Sequence, residues 1–89
     1  MTKADLVTNV ARKTGVTKKE VNHVISATLE VLREAFERRE KVELRGFGVF
    51  EVRRRKKRMG RNPRTKQPVV IPARYVLVFK PSKIIKESL

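Results

Sequence analysis

From Leu6 to Phe36 the apolar side chains recur at steps of three and four residues, and from Val42 onward they fall on alternate positions. The first spacing belongs to amphipathic helices and the second to half-buried strands. Leu6, Val7, Val10 and Ala11 share one face of a helix predicted over residues 3–14. Val21, Val24, Ile25, Thr28, Leu29, Val31, Leu32, Ala35 and Phe36 form a broader stripe on a second helix over residues 18–39. Thr2 with Asp5 and Thr17 with Glu20 have the spacing of capping boxes, and Met1 with Leu6 and Val16 with Val21 could staple the two helix entries. Gly15 can take the left-handed conformation that ends the first helix, and Arg38, Arg39 and Lys41 suit the negative pole of the second.

From Lys41 the alternation predicts a strand through Val42 and Leu44, a turn at Gly46, Phe47 and Gly48, and a second strand from Val49. That strand runs into Arg53–Arg58 with no glycine or proline to stop it. After the turn-like residues 60–65 the chain returns through Val69, Val70 and Ile71 to the apolar run from Tyr75 to Phe79. The pattern predicts a long hairpin that projects beyond a small sheet, reaching roughly 30 Å at about 3.3 Å per residue. Pro68 and Pro72 cannot donate to a ladder and should face an open edge or a bulge. Ser82 can cap a short last helix carrying Ile84, Ile85 and Leu89.

Charge sharpens this picture. Residues 1–51 carry ten basic and eight acidic side chains, whereas residues 52–89 carry thirteen and one, so nearly all of the net charge of +14 sits in one half. A one-signed segment of this kind repels itself until a polyanion neutralises it. With 89 residues and few apolar positions between 53 and 67, the chain has little material for a core of its own. The broad stripe of the second helix therefore implies a second subunit. No cysteine is present, which excludes disulfides and cysteine metal sites. His23 stands without a companion ligand, and nothing assembles a nucleophile, base and oxyanion site. The chain is expected to be no enzyme, to need no cofactor, metal or small-molecule substrate, and to be soluble and cytoplasmic.

The segments GFGVF at 46–50, GRNPRT at 60–65 and FKPSK at 79–83, in this order after two capped helices, closely resemble the HU/IHF family of bacterial histone-like DNA-bending proteins. The likeness covers the whole chain. It implies an α+β fold of two N-terminal helices, a three-stranded antiparallel sheet with a long β-ribbon arm, and a short C-terminal helix, in an intertwined dimer. Residues 1–89 would form one domain, with a helical dimerisation base at 1–40, a sheet saddle at 41–52 and 75–81, a DNA-binding arm at 53–74 and the last helix at 82–89.

The likeness also assigns roles. Pro63 would be the wedge that enters the base stack. Arg53, Arg55, Lys57, Arg58, Arg61 and Arg74 would track phosphates and the minor groove, with Asn62, Arg64, Thr65 and Lys66 around the tip. Lys3, Gly46, Gly48, Lys80, Ser82, Lys83 and Lys86 would meet phosphate from the body. Leu29, Leu32, Phe36, Leu44, Phe47, Phe50 and Phe79 would form the dimer core, although aromatic rings on a basic protein can also stack on bases. Lys66 and Ser82 stand where family members commonly have glycine, which implies a different arm turn and a less close approach at the last helix.

The partner implied is double-stranded DNA, contacted in the nucleoid by a homodimer that bends it with low sequence preference. Two other readings remain open: one half of a sequence-specific IHF-like heterodimer, and a protein of structured RNA, which a basic ribbon also suits. A peripheral membrane role would need a basic amphipathic helix, whereas this charge falls on strands.

Overall fold

A computed structural model describes all residues from Met1 to Leu89. It contains α1 (Lys3–Thr14), α2 (Lys18–Glu37), β1 (Val42–Leu44), β2 (Gly48–Arg55), β3 (Arg58–Arg61), β4 (Pro68–Ile71), β5 (Arg74–Pro81) and α3 (Lys83–Ser88). Two compact units result, Met1–Glu34 and Ala35–Leu89.

In the first unit, α1 begins and ends where its caps dictate. The Thr2 amide donates to Asp5 Oδ2 at 2.9 Å and the Asp5 amide to Thr2 Oγ1 at 3.2 Å, which completes the capping box. The hydrogen bond from the Thr2 backbone, and then the one with its hydroxyl, hold the Asp5 carboxyl below its ordinary range. Gly15, at φ 76°, closes the helix through a 2.8 Å bond to the Ala11 carbonyl. At Thr17 only the forward half of the second box forms, with the Glu20 amide donating to Thr17 Oγ1 at 3.3 Å. Val7, Ala11 and Val21 are buried, with Val10 and Ile25 against them. Farther along α2, Val24, Ala27, Val31 and Leu32 line an open apolar groove beside His23.

The second helix stops at Glu37, short of the expected Arg39. The Glu40 amide reaches back to the Ala35 carbonyl and the Arg39 amide to that of Phe36, both at 2.9 Å. These are the paired bonds of a Schellman ending, and they require a left-handed residue where glycine is usual. Arg39 supplies it at φ 59°, at a cost of about 1–2 kcal/mol. Its guanidinium carbon lies 3.8 Å from the centroid of the Tyr75 ring, a cation–π contact that recovers about 0.5–1 kcal/mol. No basic residue is left in the last helical turn, so the expected complement to the dipole falls beyond the helix.

The second unit has a three-stranded antiparallel sheet in the order β1-β2-β5 and a separate ribbon of β3 and β4. Two expectations are corrected here. Gly48 belongs to the central strand and is buried, not part of the turn, and the basic strand is not continuous, because Lys56 and Lys57 interrupt it. The cause lies on the facing strand. Gly48 pairs with Pro81 and Arg55 with Arg74, and continuing that count brings Lys57 opposite Pro72, which has no amide hydrogen to give the ladder. Pairing resumes in the same register, Arg58 with Ile71 through Arg61 with Pro68. No bulge intervenes, and Pro68 sits at the last rung.

Register also decides which side chains share a face. Even positions of β2 and odd positions of β5 lie together, so Phe50 and Phe79 meet with ring centroids 4.8 Å apart. Phe36 stacks on Phe50 and Phe47 on Phe79, each at 5.4 Å. A Cβ on Gly48 would come within 2.6 Å of the Phe79 ring and 2.5 Å of the Lys80 carbonyl, so only glycine fits beneath that ring. Tilted aromatic pairs add about 0.5–1.5 kcal/mol each beyond the area they bury.

Candidate nucleic-acid interface

The opposite face of the same ladder carries the basic residues. Arg53 and Arg55 alternate along β2, Arg74 and Lys80 share their side from β5, and the count carried across the break assigns Lys57 to the same row. Continuing through β3 adds Arg61. Arg54, Lys56 and Arg58 fall on the other side, so Arg58 is separated from Arg53 and Arg55. One acid stands among these cations. Glu51 Oε2 accepts from Arg53 at 2.9 and 3.1 Å and lies 3.4 Å from Lys80 Nζ. The bonds from Arg53, and then Lys80, hold the Glu51 carboxyl below its usual range.

Where the ladder breaks, a cleft of about 570 Å³ opens between Arg55, Lys56, Lys57 and Arg58 on one strand and Ile71, Pro72 and Arg74 on the other. Both rows of cations reach its rim.

The tip is built by Asn62. Its side-chain oxygen accepts from the Arg64 amide at 2.9 Å and the Thr65 amide at 3.4 Å. Its own amide donates to the Gln67 carbonyl, and its carbonyl accepts from the Lys66 amide at 2.8 Å. Pro63 fits this turn because a residue just after a capping asparagine has no amide partner to lose. It stands exposed at the end of the ribbon. Lys66 takes φ 59°, so the turn keeps the left-handed step that glycine would make, with a lysine bearing the strain.

Body residues gather as well. Gly46, Gly48, Lys80, Ser82 and Lys86 line a concavity of about 740 Å³ together with Arg45. Sequence reasoning missed Arg45, which stands in the turn between β1 and β2 beside Gly46. Ser82 is spent inside the protein. Its hydroxyl donates to the Gly46 carbonyl at 2.9 Å and caps α3 through the Ile85 amide, while its own amide donates to the Phe47 carbonyl. Gly48 offers no open amide, being buried in the central strand. Lys83 pairs with Glu87 at 3.8 Å, and Lys3 Nζ donates to Ser26 Oγ at 2.9 Å in the helical unit.

Of the residues expected in the dimer core, Phe36, Leu44, Phe47, Phe50 and Phe79 come together on the apolar face of the sheet, and Leu29 and Leu32 lie on α2. In the single chain Phe47 remains 49% and Phe79 41% exposed, so stacked rings of this size are still open to water. No helix is long and apolar enough to cross a membrane.

The family model described as bacterial DNA-binding protein matches residues 1–89. The chain is 47% identical over 88 residues to the DNA-binding protein HU of Thermotoga maritima, covering 99% of this chain and 98% of that one. It is 44% identical over 89 residues to the integration host factor subunit alpha of Anaeromyxobacter sp. (strain Fw109-5), covering 100% of this chain and 90% of that relative. Its fold superimposes on Anabaena HU crystallised with DNA with a TM-score of 0.89 at 46% identity, over 99% of this chain and 96% of that one. These relatives are named for binding DNA or as host factors, not as enzymes.

Proposed function

Because the chain belongs to the bacterial DNA-binding protein family, that of HU and the integration host factors, we propose that it is a histone-like architectural protein. It binds duplex DNA chiefly through the minor groove, bends it with little sequence preference and compacts the nucleoid in the cytoplasm. The observation that carries this reading is the single register that sets Arg53, Arg55, Arg61, Arg74 and Lys80 along one side of the ribbon. Flat guanidinium groups suit a narrow, negatively charged minor groove and respond to its width more than to its base sequence.

At the tip, Pro63 enters the base stack. A ring of fixed shape with no amide hydrogen loses no hydrogen bond when it leaves water. In architectural proteins of this kind, HU and IHF included, unstacking a step costs about a few kcal/mol, which wider contact with the bent duplex offsets. Asn62, Arg64, Thr65 and Lys66 set the turn that presents the wedge, with Arg64 and Lys66 free to meet phosphate. In the body, Gly46, Arg45, Lys80 and Lys86 cradle the backbone, while Ser82 and Gly48 shape that cradle rather than touch DNA. Lys3 and Lys83 contribute from the edges, and Arg58 contacts the strand flanking the groove. Glu51 keeps Arg53 and Lys80 gathered until phosphate replaces its carboxylate.

Two copies make the working unit. A dry protein interior is closely packed, whereas only Val7, Ala11, Val21 and Ala35 are buried apolar residues in one chain. A second copy laid on Phe47, Phe79 and Leu44 supplies the missing burial. Residues 1–40 then form a shared base, 41–52 and 75–81 a saddle, and 53–74 an arm from each copy.

The experiment is bending of a duplex labelled at both ends, read by energy transfer. Pro63→Ala should leave the protein folded and bound while the ends move apart; an unchanged end-to-end distance removes the wedge. The 44% identity to an integration host factor subunit supports a second reading, a heterodimer with a defined site. The chain purified alone should dimerise and hold unrelated duplexes with similar affinity, whereas a preference of about a hundredfold for one site supports the heterodimer. Competition with double-stranded RNA separates DNA from RNA as the partner.

A further inference from the structure

The ribbon has a second cationic side, of which only Arg58 is given to the first duplex. Arg54 stands opposite Tyr75 in the ladder, and the Arg39 guanidinium covers the Tyr75 ring. One guanidinium therefore covers this ring, a second arginine pairs with the same residue across the ladder, and Lys56 follows just past the end of β2. All three are exposed. Arg54 and Lys56 have no ion-pair partner. The nearest acid along the strand, Glu51, is on the other side and already bound to Arg53 and Lys80.

This side cannot belong to a dry protein interface, since burying an unpaired charge costs several kcal/mol per ion. The apolar rings lower on the same face suit a second copy; the cations beyond them suit a polyanion. Arg54 lies in β2 and Lys56 just past its end, two successive cations that suit a linear backbone of phosphates. Once the groove-facing row is occupied, the polyanion at hand is another stretch of the same polymer.

We propose that Arg39, Arg54 and Lys56 form a second phosphate-binding face, by which one protein molecule already seated on DNA holds a second duplex. The proposal rests on the DNA-binding function above and extends it from bending to bridging. Each lost phosphate contact should weaken the second hold by about tenfold at about 0.1 M salt.

The test uses the full chain on a short duplex fixed to beads, washed and then offered a fluorescent duplex of unrelated sequence. An Arg54→Gln, Lys56→Gln variant should hold the fixed duplex as wild type does and lose capture of the second by about a hundredfold, about tenfold for each cation. An Arg54→Lys, Lys56→Arg variant keeps the charges and should retain capture. Undiminished capture by the glutamine variant overturns the second face. So does equal weakening on both duplexes, which would assign these cations to the first, and so does loss of capture in the charge-keeping variant. Capture of double-stranded RNA in preference to DNA also sinks it. A wild-type protein that holds the fixed duplex but captures none disproves bridging alone, whereas one that holds neither removes the proposed function as well.

Discussion

The foot and the tip of the ribbon are held together in different ways. At the foot, β2 and β5 share eight paired positions and carry stacked rings on one face. At the tip, β3 and β4 share four, and the turn depends on one asparagine side chain and one left-handed lysine. Packing energy is cooperative and reaches through the molecule, while a local hydrogen-bonded turn gives way alone. The foot is thus structure in its own right, and the tip is a shape kept ready for its partner.

Removing a ring should break the foot first. Phe50→Ala takes away contacts with both Phe36 and Phe79 and should cost about 3–5 kcal/mol, seen as a lower denaturation midpoint. A loss below about 1 kcal/mol would place the stacked rings outside the stabilising core. Gly48→Ala acts at the same spot by overpacking and should cost about 1–3 kcal/mol.

At the tip the expected effects are smaller and local. Asn62→Ala strips the acceptor from the Arg64 and Thr65 amides, which should raise their hydrogen exchange and cost about 1 kcal/mol there. The global midpoint should stay within about 0.5 kcal/mol; a wide fall in stability would mean that the two regions are one. Lys66→Gly should tighten the turn by about 1 kcal/mol through relief of the left-handed strain. It should also lower the salt dependence of DNA affinity by at most about 0.9 in slope, the share of one phosphate. A weaker, more mobile tip in that variant would show that the lysine side chain, not its backbone, holds the turn.

The smallest effect concerns acid. Asp5 and Glu51 are lowered in the folded protein, so the stability they contribute is present above the unfolded carboxylate range near pH ~4. It is lost as pH falls through their folded values. Glu51→Gln should remove part of that acid sensitivity, and an unaltered pH profile would separate the Arg53 and Lys80 contacts from folding.

The sequence was most legible where a residue signals its own conformation. Thr2, Asp5 and Gly15 bound α1 at the observed residues because a capping box and a left-handed glycine act locally. The end of α2 was misread because its left-handed residue is an arginine, supported by a tyrosine far along the chain. The break at Lys56 and Lys57 was invisible on its own strand, since the interrupting proline lies across the ladder. Alternation correctly divided Arg53 and Arg55 from Arg54. It could not show that Ser82 spends its donors on Gly46 and Phe47, because those partners are distant in sequence. The same is true of the concavity that Arg45 joins.

The unbroken register from Gly48 to Arg61 makes the arm a ruler graduated in pairs of residues. A single residue inserted into both strands would turn every cation beyond it to the reverse side, exchanging the two rows. Matched insertions of two in each strand would lengthen the reach and leave the rows where they are. Evolution, or a designer, can therefore change the span of this arm only in even, mirrored steps.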